Sequence, residues 1–305
     1  MIESPADQLL TIRDVLRFAV SRFNSEGLTF GQGTADALEE AVFLILETLR
    51  LPVEDVNPWT DARLTRAERV RLLDLIETRI STRRPAAYLL NKAYMHGESF
   101  YVDERVLIPR SFIGELLFSD LIGGGDMNLI DDADAVSSGL DLCTGSGCLA
   151  ILAARAFAHA QVDAVDISAD ALAVAERNVA DKGLEERIEL FRGDLFSGIG
   201  KRRYDLIISN PPYVADVEMD ALPEEFRAEP ALALAGGGEE GMAIVTRILE
   251  EAAEHLTEGG GLMCEIGQAR AVIEAMFPEL PFVWLDTAGS QSEVFWITRE
   301  GLGAL

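Results

Sequence analysis

Asn210-Pro-Pro-Tyr213 directly follows the apolar run Tyr204-Asp-Leu-Ile-Ile-Ser209. Two prolines fix the backbone and carry no N–H. The carbonyl of Pro211 is therefore held outward as an acceptor, beside the side-chain acceptor of Asn210, with Pro212 stiffening the turn and Tyr213 offering a flat face. Two acceptors and an aromatic plane make a clamp for a planar –NH₂ group, on an amide or a nucleobase. A second stretch, Asp141-Leu-Cys-Thr-Gly-Ser-Gly147, stands where an apolar run meets a helical pattern. Gly145 and Gly147 permit a tight turn, and the N-terminus of the following helix offers N–H groups to an anion. Asp166 ends the next apolar run, where a carboxylate can accept from ribose hydroxyls. Gly145-Ser-Gly-Cys-Leu-Ala150 also satisfies G-x-G-x-x-A, so the loop alone leaves a nicotinamide cofactor and S-adenosylmethionine both open. Asp194, in Gly193-Asp-Leu-Phe196, can accept from an adenine amino group, with Leu195 and Phe196 as walls. Gly-Asp is equally ordinary turn chemistry.

Other chemistries find less support. Cys143, Cys148, Cys264, His96, His159 and His255 show no C-x-x-C or H-x-x-x-H spacing, so no metal site is expected. Ser146 has no histidine at a recognisable spacing, which argues against an acyl-transfer nucleophile. Lys and Arg total 26 against 52 Asp and Glu, a formal net charge of −26. A nucleic-acid binder would need a dense basic face. Three cysteines are too few for a disulfide framework, which points to a reducing, cytoplasmic setting. Glu3, Asp7 and Asp14 leave no basic segment before an apolar run, so no signal peptide is expected. No run reaches the ~18 apolar residues of a membrane span.

The elements that must position these residues alternate. Leu140–Cys143, Val162–Asp166, Arg187–Phe191, Tyr204–Ser209 and Gly261–Glu265 read as strands, separated by helical patterns such as Ala169–Asp181 and Met242–Leu256. That alternation predicts an α/β domain with a doubly wound, mostly parallel sheet. Phe282–Leu285 and Glu293–Thr298 are joined too tightly for a parallel crossover and are expected to pair antiparallel. Residues 1–87 read as a helical domain, with Leu9, Ile12, Leu16, Val20 and Phe23, then Leu38, Val42, Ile45 and Leu49, then Val70, Leu73, Ile76 and Ile80 as apolar stripes. Thr65 to Glu68 fits a capping box. Residues 88–110 read as a β-hairpin connector turning at His96-Gly97-Glu98, and 111–305 as the α/β domain. Gly123–Gly125 with Asp131, Asp132 and Asp134 reads as an exposed loop. Between Val214 and Pro230 stand Asp216, Glu218, Asp220, Glu224, Glu225 and Glu229 against the single base Arg227, an acidic apron beside the clamp.

Taken in order, Asp141–Gly147, Asp166, Asp194 and Asn210–Tyr213 resemble the motifs of class I S-adenosylmethionine-dependent amino methyltransferases. Phe100-Tyr-Val-Asp-Glu-Arg-Val-Leu-Ile-Pro-Arg110, Glu229-Pro-Ala-Leu-Ala-Leu234 and Glu265-Ile-Gly267 extend the resemblance to the HemK-like protein glutamine N5-methyltransferases, over about residues 85–300. The release-factor branch follows Ile-Pro-Arg with two acids that Ser111-Phe-Ile-Gly114 lacks. Cys143 and Ser111 are instead similar to the branch acting on ribosomal protein L-three, although Phe112 stands for its usual proline and Gly114 for its alanine. The resemblance implies a Rossmann-like class I methyltransferase fold with its last strand antiparallel. It implies S-adenosylmethionine, released as S-adenosylhomocysteine, on Asp141, Cys143, Thr144, Gly145, Ser146, Gly147, Asp166, Ile167, Asp194, Leu195 and Asn210. A protein glutamine then enters at Asn210, Pro211, Pro212 and Tyr213. The implied partner is a basic ribosomal protein recognised by the helical domain, with neither DNA nor membrane. The alternatives are a release-factor enzyme, a DNA adenine methyltransferase and a non-catalytic assembly adaptor.

Overall fold

The structure is a computed structural model describing residues 5–124 and 128–303; Glu3 and Gly125 lie outside the described residues. The chain divides into two compact units. The first runs up to Ala93 and also takes in Val102–Glu104 and Leu222–Glu229; the second comprises Tyr94–Tyr101, Arg105–Ala221 and Pro230–Leu305.

Helices Ile12–Ser25, Ala37–Leu49 and Arg66–Thr82 build the first unit. Each starts on a side-chain cap, at Thr11, Asp36 and Thr65, and Thr65 forms the expected reciprocal box with Glu68. Of the expected apolar stripes, Leu9, Ile12, Phe23, Ile45 and Ile76 are buried, and Leu16, Val20, Leu49, Leu73 and Ile80 are partly buried against the core, whereas Leu38 and Val70 are exposed and Val15, Ala19, Ala41, Leu44 and Leu72 complete the inward faces. A polar group also lies inside the bundle. Arg79 is fully buried, ion-paired with buried Glu40, and donates to the carbonyl of Thr29. The acidic segment is corrected by the same cluster. Glu225 is buried, accepting from the Thr29 N–H at 3.0 Å and from Arg83 at 3.1 Å, and Glu229 is buried as well. Only Asp216, Glu218, Asp220 and Glu224 of that run stay exposed.

In the second unit a hairpin comes first, β1 (Ala93–Met95) and β2 (Glu98–Phe100), the former beginning at the unit border. His96 and Gly97 both have positive φ, as a two-residue hairpin turn requires. Then follow β3 (Ser138–Leu142), β4 (Gln161–Asp166), β5 (Ile188–Arg192), β6 (Tyr204–Ser209), β7 (Leu256–Glu265), β8 (Val283–Asp286) and β9 (Gln291–Thr298). Among the described residues these seven strands form one sheet in the order β5-β4-β3-β6-β7-β9-β8. All neighbours from β5 to β7 are parallel, and β9 runs antiparallel to both β7 and β8. Both faces are covered. Leu206, Ile208 and Val162 pack with Leu149 and Leu152 of the helix Cys148–Ala156, and Leu140, Leu142 and Ile207 pack with Val245 and Leu249 of the helix Ala243–Ala252. This is the two-sided burial that makes parallel strands read as continuous apolar runs.

The order reverses between β3 and β6, and ligands of open α/β sheets bind beyond the strand carboxyl ends at such a switch. Leu142 pairs with both Val165 and Ser209, so the glycine loop, Asp166 and Asn210 leave the sheet side by side. No helix among the described residues is long and apolar enough to cross a membrane.

Candidate active site

The chain leaves β3 through Cys143 in the left-handed region, at φ 60°. The Thr144 N–H donates to the Val165 carbonyl at 3.0 Å and the Gly147 N–H to the Thr144 carbonyl at 2.9 Å. The Gly145 N–H donates to Asp166 Oδ2 at 2.9 Å, and the Ser168 N–H to Asp166 Oδ1 at 2.8 Å. Asp141, 1% exposed, accepts through Oδ2 from the Thr144 hydroxyl at 2.6 Å and from the Ala150 N–H at 3.0 Å. One buried carboxylate thus ties strand, loop and helix together. Burial pushes its pKa up to about 7 and also raises that of Asp166. The sequence reading of the loop is amended here: the N–H groups of Thr144, Gly145, Gly147 and Ala150 turn inward on the protein instead of outward to an anion.

In front of the loop lies a cavity of about 270 Å³. Cys143, Gly145, Asp166, Ile167, Asp194, Leu195, Asn210 and Pro212 line it. Asp141, Thr144, Ser146 and Gly147 do not; they form the support behind it. Asp194 is held by Arg247 in a fork, each oxygen accepting at 3.0 Å and keeping a further lone pair. Sequence reasoning missed Arg247. Ile244 and Arg247 are three apart on one helix and both reach the cavity. Arg105, Val106 and Leu107 also line the cavity, within the Phe100–Arg110 stretch whose local role the sequence left open.

The clamp follows β6, whose Ser209 hydroxyl donates to the Leu142 carbonyl at 2.9 Å. Pro211 and Pro212 are buried, while Asn210 and Tyr213 are half-buried. The backbone beyond Tyr213 is pinned on both sides. The Val214 N–H donates to the Leu234 carbonyl and the Gly236 N–H to the Val214 carbonyl, at 2.8 and 2.9 Å. Gly236 sits so close that a Cβ there would lie 1.9 Å from the Gly241 carbonyl oxygen and 2.7 Å from the Tyr213 Cα. Tyr213 stands outside the cavity lining, and burial together with nearby Glu265 holds its phenol in the neutral form.

Residues 127–240 match the family model of the methyltransferase small domain. A Bradyrhizobium diazoefficiens protein called ribosomal protein uL3 glutamine methyltransferase is 56% identical over 296 residues, covering 97% of this chain and 92% of that protein. The protein so called in Neisseria gonorrhoeae is 53% identical over 302 residues, 99% of each chain. That of Bordetella pertussis is 50% identical over 295 residues, 97% of each. The chain belongs to the ribosomal protein uL3 glutamine methyltransferase family.

Methyltransferases of this family work with S-adenosylmethionine, and the site suits that molecule. Asp141 keeps one buried oxygen without a protein partner beneath the glycine loop. The cavity wall carries the carboxylate of Asp166 beside the apolar side chains of Ile167, Leu195 and Ile244. A family member built this way should lose cofactor affinity before turnover when Asp166 becomes alanine. We expect the dissociation constant for S-adenosylmethionine, measured by calorimetry, to rise about tenfold or more, the scale of a hydrogen bond to a charged group. An unchanged constant would remove Asp166 from the cofactor site.

Proposed function

We propose that this chain transfers a methyl group from S-adenosylmethionine to the side-chain amide nitrogen of a glutamine in ribosomal protein uL3, leaving S-adenosylhomocysteine. The observation that carries this reading is that Asn210 and Pro212 line the same cavity as Gly145 and Asp166. Gly145, Asp166 and Ile167 would hold the cofactor's amino-acid and ribose portions. Leu195 and Ile244 would flank the adenine, with Asp194 kept in place by Arg247. When bound, S-adenosylmethionine supplies a methyl already activated by its sulfonium. The protein's task is then mostly alignment, which can contribute roughly 7–11 kcal/mol.

An amide nitrogen is a poor nucleophile because its lone pair is delocalised. The Asn210 side-chain oxygen and the Pro211 carbonyl accept from the two N–H bonds. Those acceptors favour pyramidal nitrogen and stabilise the positive charge that develops on it, an oxyanion hole of reversed polarity. Tyr213 supplies the plane that orients the amide. No strong general base is required before transfer. We assign recognition of the substrate protein to the helical unit, because cavity and clamp lie wholly within the other unit. A net charge of −26, with Asp216, Glu218 and Asp220 exposed directly after the clamp, favours a basic partner over DNA. A ribosomal protein as substrate supports a cytoplasmic setting for the reaction.

The test incubates purified uL3 with the enzyme and S-adenosylmethionine and maps the product by mass spectrometry. One added methyl on a single glutamine is the expected result. Unmodified uL3 alongside a methylated release factor, or methylated adenine in DNA, would overturn the substrate assignment.

A further inference from the structure

We propose that Glu265 is the positioning residue of the amide clamp, its carboxylate holding the Ser111–Phe112 turn in register with the end of β7 that seats Tyr213 and bringing a negative charge near the Tyr213 phenol. This inference rests on the reading of Asn210–Tyr213 as the clamp.

Topology places the residue. Ser209 pairs with Cys264 across β6 and β7, so Glu265 emerges from the sheet next to Asn210. Glu265 is 2% exposed. Its Oε2 accepts from the Ser111 hydroxyl at 2.7 Å and from the Phe112 N–H at 2.9 Å. Two residues on, Gly267 has φ 56°, and a Cβ there would lie 2.9 Å from the Tyr213 ring. The ring is thereby seated on the backbone that continues from Glu265, and burial together with the charge of Glu265 raises the pKa of its phenol.

A structural role alone accounts poorly for this carboxylate. Buried ions are weak contributors to stability, and an apolar residue of similar volume is often as good or better. A negative charge near the phenol is useful here because the bound amide turns cationic as the methyl arrives. The carboxylate attracts that charge in addition to the ring. The charged or titratable groups facing Glu265 are Arg110 from its own side of the turn, Glu293 from β9, and the Tyr213 hydroxyl. Burial dominates, with Glu293 adding to it and Ser111, Phe112 and Arg110 opposing it, so the carboxyl titrates at about 7. The ionised form is the one that attracts the developing cation. Turnover therefore rises with pH as Glu265 deprotonates and levels off above that.

The test compares kcat against pH, S-adenosylmethionine affinity by calorimetry, and melting temperature for the wild type, Glu265→Gln and Glu265→Asp. Glutamine can accept the same two hydrogen bonds but carries no charge. We expect Glu265→Gln to lower plateau kcat by about tenfold to a hundredfold, the scale of hydrogen bonds to charged groups, and to erase the acid limb near 7. Glu265 does not line the cofactor cavity, so cofactor affinity should stay within about twofold. Glu265→Asp should retain the limb at reduced kcat. Ser111→Ala, which withdraws a donor from the ionised form, should move the limb to higher pH. A wild-type kcat and limb in Glu265→Gln would overturn the inference while leaving the uL3 assignment intact, because wild-type turnover is read in the same assay. A joint fall of melting temperature and cofactor affinity, with the limb preserved in the residual activity, would overturn it in favour of a purely structural role.

Discussion

Replacing Asn210 with alanine is expected to lower turnover by about 10²–10³, the cost of removing one preorganised polar group that works mainly in the transition state. Cofactor affinity should stay within a few-fold. Asn210 follows Ser209, whose pairing with Leu142 and hydroxyl bond to the Leu142 carbonyl fix where the strand ends. The two buried prolines behind it prevent the backbone from relaxing into the space the side chain leaves. The lost acceptor is therefore not replaced by a shifted main chain. Single-turnover methylation of uL3, with calorimetric titration of S-adenosylmethionine, separates the two quantities. A variant with near-normal turnover would end the clamp model. A variant that loses cofactor binding first would move Asn210 from the amide to the cofactor.

The second large effect is expected at a position with no side chain. Gly236→Ala places a methyl 1.9 Å from the Gly241 carbonyl oxygen and 2.7 Å from the Tyr213 Cα, both backbone atoms that cannot swing aside. Something in the main chain must move by about an ångström, and misplacement on that scale costs on the order of 10² in rate. Stability should also fall, by about 1–3 kcal/mol, as for other overpacked sites. Gly241→Ala, whose Cβ would meet the Tyr213 carbonyl oxygen at 2.3 Å, should reproduce the phenotype from the opposite side. Turnover and melting temperature are the measurements. Two soluble, cofactor-binding variants with wild-type turnover would show that the Tyr213 backbone has freedom to spare.

Legibility in the sequence followed the physics of each element. β6 spans Tyr204–Ser209 and the helix after β4 spans Ala169–Asp181, both with the ends expected from sequence. A strand buried on two faces is a bare apolar run, and this helix carries its own cap at Ser168. The first unit was harder to read, because a stripe analysis counts only apolar residues. A buried Arg79 paired with Glu40 occupies inward positions that such counting assigns to solvent. The same blindness made Glu225 look like a surface acid. At the site, backbone-driven features such as the glycine turn and the stiff Pro-Pro segment after β6 were legible because glycine and proline carry their geometry in their identity. Arg247 and the setting of Glu265 were not, since each depends on a partner more than 50 residues away, Asp194 and Ser111.

Leu222–Glu229 leaves the methyl-transfer half of the chain only a few residues after Tyr213 and counts among the residues of the helical unit, where Phe226 approaches Gly31 and Glu225 meets Thr29 and Arg83. That unit is therefore discontinuous in sequence, and its last piece is encoded inside the other. Genetic separability does not follow from compactness here. A fragment starting after Ala93 would retain the cavity and Asn210–Tyr213 yet carry an orphaned strap, with an aromatic ring and a carboxylate stripped of their partners about ten residues beyond Tyr213. Trimming, swapping or fusing the helical half thus amounts to editing the loop that leads out of the clamp.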